Sequence, residues 1–253
     1  MVNKIRKRIS RGYSSFLDKL GYKKHVNLLG KCEVAVSSYS RNILQDCERA
    51  AGEVFISWLH DGGNTLDIGA NYGRYTFIAA SFAKPGNRVV SIEADPYQYY
   101  ILKRNLRLNG FGSIVNAYNR AAWDEDSSIP FYVSAGGRSS AASEWGSNPK
   151  VVEVAATPVD KICNSIGFVP DVVKIDIEGA EYRCLVGMSS ILEKAHPKLL
   201  LELHPSAIKS IGGSLADLEK LLKDYGYGLY DLDNQPIESI QEYTEDHKMV
   251  IAI

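Results

Sequence analysis

Residues 65–73 read Thr-Leu-Asp-Ile-Gly-Ala-Asn-Tyr-Gly, and no other stretch narrows the possible folds as far. A short apolar strand runs straight into a glycine-rich turn. Tyr75 to Phe82 is then apolar enough for a helix, Pro85 and Gly86 end it, and Arg88 to Glu93 (RVVSIE) makes a second strand. Strand, turn, helix and strand within about 30 residues is a βαβ unit, which commits its two strands to run parallel. Parallel strands are covered on both faces, so the rest of the chain must supply helices for two layers.

The alternation that follows meets this demand. Pro96 opens a helix reaching about to Asn109, Ile114 to Asn119 is a third strand, and Ile129 to Val133 a short extra one. Residues 134–149 are rich in glycine and serine and read as a loop insertion. Val151 to Thr157 is extended, Val159 to Ile166 a short helix, and Val172 to Ile175 a strand apolar except for Lys174. Glu181 to Leu192 is helical, Leu199 to Leu203 a strand and Leu215 to Tyr225 a helix. Leu229 to Leu232 and Met249 to Ile253 are the final strands, an antiparallel pair. Asn42 to His60 places apolar side chains close to a 3.6-residue period. The expectation is an α/β chain with a mainly parallel sheet: residues 1–60 form a helical extension, and residues 61–253 one domain with the insertion at 134–149.

Bulk properties remove several classes. The formal net charge of -1 over 253 residues is not the basic field of a general nucleic-acid binder. No run approaches ~18 apolar residues, so no membrane span is expected, and charges interrupt every candidate signal-peptide core before residue 30. The segment before Val26 carries Lys4, Arg6, Lys7, Arg8, Arg11, Lys19, Lys23 and Lys24 against Asp18. It reads either as a solvated helix or as an arm touching an anionic surface such as a membrane face. Cys32, Cys47, Cys163 and Cys184 form no CxxC pair, which fits reduced thiols in a cytoplasmic protein.

Ligands of open α/β sheets bind outside the carboxyl ends of the strands. That rule selects Asp67 to Gly73, Glu93 to Asp95, Arg120 to Trp123, Asp176 to Glu181 and Glu202 to Pro205. Gly69 and Gly73 allow a tight turn and close approach of a ligand. A dinucleotide site wants G-x-G-x-x-G, and here Asn71 stands where its second glycine would be; no G-x-x-x-x-G-K-[ST] loop is present either. Asp67 would repel a pyrophosphate but can pair with a cationic amino-acid moiety. Glu93 can accept both hydroxyls of an adenosine ribose. The combination points to an adenosine ligand without phosphates.

These segments together resemble the FkbM family of class I S-adenosylmethionine-dependent methyltransferases. The matching pieces are TLDIGANYGRYTF at 65–77, VVSIEADP at 89–96, NRAAW at 119–123, VVKIDIEGAE at 172–181 and LLLELHP at 199–205. The resemblance implies a Rossmann-like, seven-stranded sheet with a final antiparallel strand. It also implies S-adenosyl-L-methionine as cofactor and methyl transfer to a hydroxyl of a sugar, lipid-linked or other small acceptor. Carried over by position, Asp67, Gly69, Ala70, Asn71 and Gly73 surround the methionine part of the cofactor, with Thr76 a further candidate. Glu93 holds the ribose, Ala94, Asp95, Ala121 and Ala122 border the adenine, and Asp176 lies beside the methyl group.

Transfer from a sulfonium requires alignment, removal of one proton and exclusion of water. His204 is the first candidate for the base because its ordinary pKa lies near ~6.5, with Asp176 and Glu202 as further catalytic candidates. Asp176, Glu178, Glu202 and His204 could hold a divalent cation, but acidic residues gather at sheet ends for other reasons, and no metal is assigned. Arg138, Ser139, Ser140, Trp145 and Glu178 are candidate acceptor contacts. His25, His60, His196 and His247 show no ligand spacing. Two other readings stay open: a nucleic-acid methyltransferase, although Asp176-Ile177-Glu178-Gly179 lacks the Pro-Pro-aromatic sequence of amino-methylating enzymes, and a non-catalytic adenosine-ligand or scaffold protein.

Overall fold

The computed structural model describes residues 23–37, 48–133, 139–142 and 150–253. Among them, seven strands form the central sheet: β3 (Thr65–Ile68), β4 (Val89–Ile92), β5 (Val115–Tyr118), β9 (Val172–Ile175), β10 (Lys198–Leu203), β11 (Leu229–Tyr230) and β12 (Lys248–Ala252). Their order across the sheet is β11-β12-β10-β9-β3-β4-β5. All neighbours from β10 to β5 pair parallel, and β12 runs antiparallel to both β10 and β11. The chain starts at the centre with β3, winds outward through β4 and β5, and returns to add β9 on the other side. This reversal opens a crevice between the ends of β3 and β9.

Two apolar layers follow from the alternation of side chains along these strands. Leu66, Ile68, Val173, Ile175, Leu199 and Leu201 face one way. They are covered by α4 (Val159–Ser165), α5 (Glu181–Val186), α6 (Ser189–Lys194) and α7 (Leu215–Asp224). The opposite face packs on α1 (Arg49–Leu59), α2 (Arg74–Phe82) and α3 (Pro96–Leu108). Asp95 caps α3, accepting from the amides of Tyr97 at 2.7 Å and Gln98 at 3.2 Å, with Pro96 in the first turn where no N–H is needed.

Among its described residues the expected helical extension is only partly helical; residues 1–22, with most of the basic segment, and residues 38–41 lie outside them. Residues 42–47 lie outside the described residues, and α1 covers the rest of that periodic stretch. Ahead of it, β1 (Lys24–Leu28) and β2 (Cys32–Val36) form an antiparallel hairpin. The reason is a period of two: Val26, Leu28, Val34 and Val36 are buried, and Leu29 and Gly30 turn the chain at φ 55° and 70°. The helix expected over Glu181 to Leu192 is broken into α5 and α6 at Gly187. A Cβ there would lie 1.8 Å from the Trp123 carbonyl oxygen, so the chain changes direction where only glycine fits.

A second, three-stranded sheet of β6 (Ala121–Trp123), β8 (Lys150–Pro158) and β7 (Ser127–Val133) stands beyond β5. Of its small core of Ala121, Phe131, Val154 and Ala156, Ala121 and Phe131 line the crevice. Among the described residues, no helix is long and apolar enough to cross a membrane.

Candidate active site

The turn after β3 is built by local constraints. Gly69 sits at φ 82°, and a Cβ on it would lie 1.7 Å from the Asp176 carbonyl oxygen, so the ends of β3 and β9 approach as closely as backbones can. The amides of Gly69 and Ala70 both donate to the Ile92 carbonyl, at 2.9 and 3.1 Å, and lock the turn to β4. Asn71 takes a left-handed conformation at φ 51°, and its amide donates to Glu93 Oε2 at 2.6 Å. Glu93 Oε1 accepts from the Asp95 amide at 2.7 Å. Burial pushes the Glu93 carboxyl up to about 8, against the lowering effect of these two amides. Each oxygen keeps acceptor capacity for a further donor.

The crevice encloses about 600 Å³, part of it open to solvent. Gly69, Asn71, Glu93 and Ala94 form its floor, Ala121, Ala122 and Phe131 its apolar wall, and Asp176 and Glu178 its acidic end. Ser139 also lines it. Ser139 Oγ donates to Asp95 Oδ2 at 2.7 Å, and Ser140 Oγ donates to the Glu178 carbonyl at 2.5 Å, so residues 139–142 cross over the crevice between its two ends.

Other expected site residues lie behind this lining. Asp67 is 2% exposed and accepts from Thr76 Oγ1 at 2.5 Å; Thr76 Oγ1 also meets Ser91 Oγ at 2.7 Å. Burial holds the Asp67 carboxyl up near 6, and the Thr76 contact and the charge of Lys174 pull it back down. The Asp67 carboxylate thus fixes α2 against β3 and β4 and sits apart from the lining. Gly73, at φ 107°, starts α2 where a Cβ would strike the Phe77 ring at 2.6 Å. Asp95 acts as the α3 cap. Arg138 and Trp145 lie outside the described residues.

The catalytic candidates form a buried cluster under the acidic end. His204 is fully buried, and its Nδ1 lies 2.8 Å from Glu181 Oε1. Its Nε2 is 3.2 Å from His247 Nδ1, 3.4 Å from Glu178 Oε2 and 3.7 Å from Glu202 Oε1. His247 Nδ1 meets Glu202 Oε1 at 2.7 Å. Lys174 Nζ is 4.0 Å from Asp176 and 3.8 Å from Glu202. Burial works against a charge on His204. The hydrogen bond and charge of Glu181, with the charges of Glu178 and Asp176, outweigh it and raise the imidazole to about 9. His204 is not among the residues that line the crevice, and its Nδ1 is engaged by Glu181, a poor arrangement for the base expected from the sequence. Glu202 is likewise buried, its carboxyl raised by burial and by Asp176.

Several residues of this site escape sequence reasoning. Gln98 and Phe131 reach the crevice from α3 and from the second sheet, where no motif marks them. His247 reaches the cluster because β12 pairs with β10, bringing residues 43 positions apart into contact.

A doubly wound sheet of this order, closed by an antiparallel β12 and carrying its crevice at the ends of β3, β4 and β9, defines a class I methyltransferase fold. The methyltransferase FkbM domain matches residues 67–229, and the chain belongs to that family. Among solved structures it is similar to the methyltransferase FkbM of Methylobacillus flagellatus, with 20% identity and a TM-score of 0.51. The match covers 76% of this chain and 44% of that one, so the chain spans less than half the length of that protein. A candidate caffeoyl-CoA O-methyltransferase from Staphylococcus aureus is similar over 85% of this chain and 88% of that one, at 14% identity and a TM-score of 0.52. A candidate rRNA methylase from Clostridium thermocellum shares 9% identity over 80% and 90% of the two chains, with a TM-score of 0.50. A search of curated proteins found no significant match.

Proposed function

We propose that this chain transfers a methyl group from S-adenosyl-L-methionine to a hydroxyl of a small polar acceptor such as a sugar or a lipid-linked metabolite. The observation that carries the reading is the distribution of chemistry along one crevice. A carboxylate with spare acceptor capacity, Glu93, lies beside an apolar wall, and two further carboxylates, Asp176 and Glu178, stand at the opposite end. An adenosine with a cationic tail matches that order: ribose on Glu93, adenine against Ala94, Ala121, Ala122 and Phe131, and the positive end toward Asp176. Gly69 and Asn71 give the methionine part access to backbone.

When bound, the cofactor supplies a methyl group already activated by its positive sulfur. The chain's own residues do the rest. Asp176, its side chain 29% exposed, faces the crevice and takes the proton of the acceptor hydroxyl. Glu178 orients that hydroxyl, held at φ 52° by the Ser140 contact and by Gly179 behind it. His204 and Glu181 position Glu178 from within the core. Residues 139–142 help to exclude water.

Calorimetric titration of the purified protein with S-adenosylmethionine, with NAD as control, tests the cofactor; acceptor screening with hydroxylated sugars and lipids follows. Saturable binding of S-adenosylmethionine alone is expected. Folded protein that binds neither ligand would turn the reading toward a scaffold role, and binding without transfer to any hydroxylated acceptor would remove the enzymatic part.

A further inference from the structure

We infer that Glu202, His204 and His247 form a binding site for one divalent transition-metal ion beneath the acidic end of the crevice. The site stands on donor geometry and does not depend on the methyltransferase reading. His204 Nε2, His247 Nδ1 and Glu202 Oε1 converge, with separations of 3.2, 2.7 and 3.7 Å, and all three lie within 4.8 Å of one another. Ligand atoms about 2.0–2.2 Å from a tetrahedral ion stand at comparable separations. Two imidazoles and a carboxylate suit zinc or cobalt better than magnesium, which prefers oxygen alone.

Three independent observations point the same way. His204 Nδ1 is bound to the buried carboxylate of Glu181, the carboxylate–histidine arrangement that fixes the tautomer and turns the other nitrogen toward a metal. His247 is held at φ 66°, a strained backbone for a residue with a side chain; its amide donates to the Leu203 carbonyl at 2.9 Å, which aims the ring at the cluster. The third is charge. Among the described residues of the cluster, Asp176, Glu178, Glu181 and Glu202 are carboxylates, and Lys174 is the one permanent cation. Glu202 Oε2 is buried and has no hydrogen-bond partner among the described residues. Buried carboxylates in excess are stabilised by protons or by a metal. A divalent ion at these three donors leaves a coordination position on the side of Glu178, which borders the crevice.

The test is titration of chelator-treated, metal-free protein with Co²⁺, followed by visible absorption and calorimetry, for the wild type, His247→Ala and His25→Ala. His247 is partly exposed, its side chain 37% accessible, so its replacement leaves the fold standing; His25 lies in the distant hairpin as control. One equivalent of Co²⁺ should bind with visible ligand-field bands. His247→Ala should lower that affinity at least about tenfold, and His25→Ala should leave it unchanged. Absence of saturable binding to folded wild type, or equal binding by His247→Ala, overturns the site. Titrating the same metal-free protein with S-adenosylmethionine separates the two claims: cofactor binding without Co²⁺ binding removes only the metal site, and the converse removes only the proposed function.

Discussion

The carboxylate of Glu93 stands 2.6 Å from the backbone nitrogen of Asn71, so the end of the second core strand holds the turn that follows the first. One side chain thus shapes the loop and faces the ligand. Replacing Glu93 with alanine strips acceptors from the amides of Asn71 and Asp95. The expected result is a folded protein whose affinity for S-adenosylmethionine falls at least about tenfold, a loss of about 1.4 kcal/mol or more. Calorimetry measures it, and affinity within twofold of wild type would remove Glu93 from the ribose site.

Gly69→Ala should be far more damaging than its one added methyl suggests. The Cβ would lie 1.7 Å from the Asp176 carbonyl, and the residue sits at positive φ. The two strand ends must separate, at an expected cost above about 3 kcal/mol. Urea denaturation reads this directly; a midpoint matching wild type would mean that the crevice floor is looser than described.

His204 separates a chemical role from a positioning role. His204→Ala leaves Glu181 buried beside an empty space, and destabilisation of about 3–5 kcal/mol is expected. His204→Gln restores a donor to Glu181 and should recover much of that loss. If His204→Ala instead melts like wild type, the buried His204–Glu181 pair does not hold this part of the core as described.

The pH dependence of stability carries a definite sign. Glu93, Asp67 and His204 are held at about 8, 6 and 9, each above its ordinary value. The folded state therefore binds more protons than the unfolded state. The stability from Glu93 and Asp67 is complete below about pH 4 and lost as the pH rises through 8 and 6. That from His204 is complete below about pH 6.5 and lost through 9. While a group lies between its two values, the slope is up to about 1.4 kcal/mol per pH unit. Thermal midpoints of the ligand-free protein should fall from pH 6 to pH 9; a flat or rising series contradicts the assignment.

Ala121→Phe should place a ring in the apolar wall of the crevice. Cofactor affinity should fall at least about tenfold with a modest change in melting temperature, since small-to-large changes cost about 1–3 kcal/mol. An unaltered titration would place the adenine elsewhere.

The sheet was legible in the sequence because its signals are local. Each parallel strand is a short apolar run ending in a polar residue or glycine, and the turn at Gly69 announces itself within nine residues. The β1–β2 hairpin was hidden because basic residues before Val26 mask its period of two. The inward turn of Asp67 was hidden because a strand-end carboxylate looks the same whether it meets a ligand or Thr76. His247 was out of reach for another reason: its neighbours are set by the pairing of β10 with β12, which no spacing along the chain expresses.

The hairpin also sets a lower limit on how short a self-sufficient version of this protein can be. Asn109 exchanges two hydrogen bonds with the backbone of Ala35, at 2.8 and 2.7 Å, and Asn105 accepts from the Ser37 amide while donating to the Tyr72 carbonyl. A side chain of α3 therefore ties the start of the described chain to the turn that faces the crevice. A fragment cut at Asp67, where the family match begins, would keep α2 and α3 but lose the central strand's first residues, α1 and the hairpin that pack against those helices, and would leave two asparagines facing water on an uncovered apolar flank. A unit that keeps these contacts begins no later than Lys24, more than forty residues before the family match.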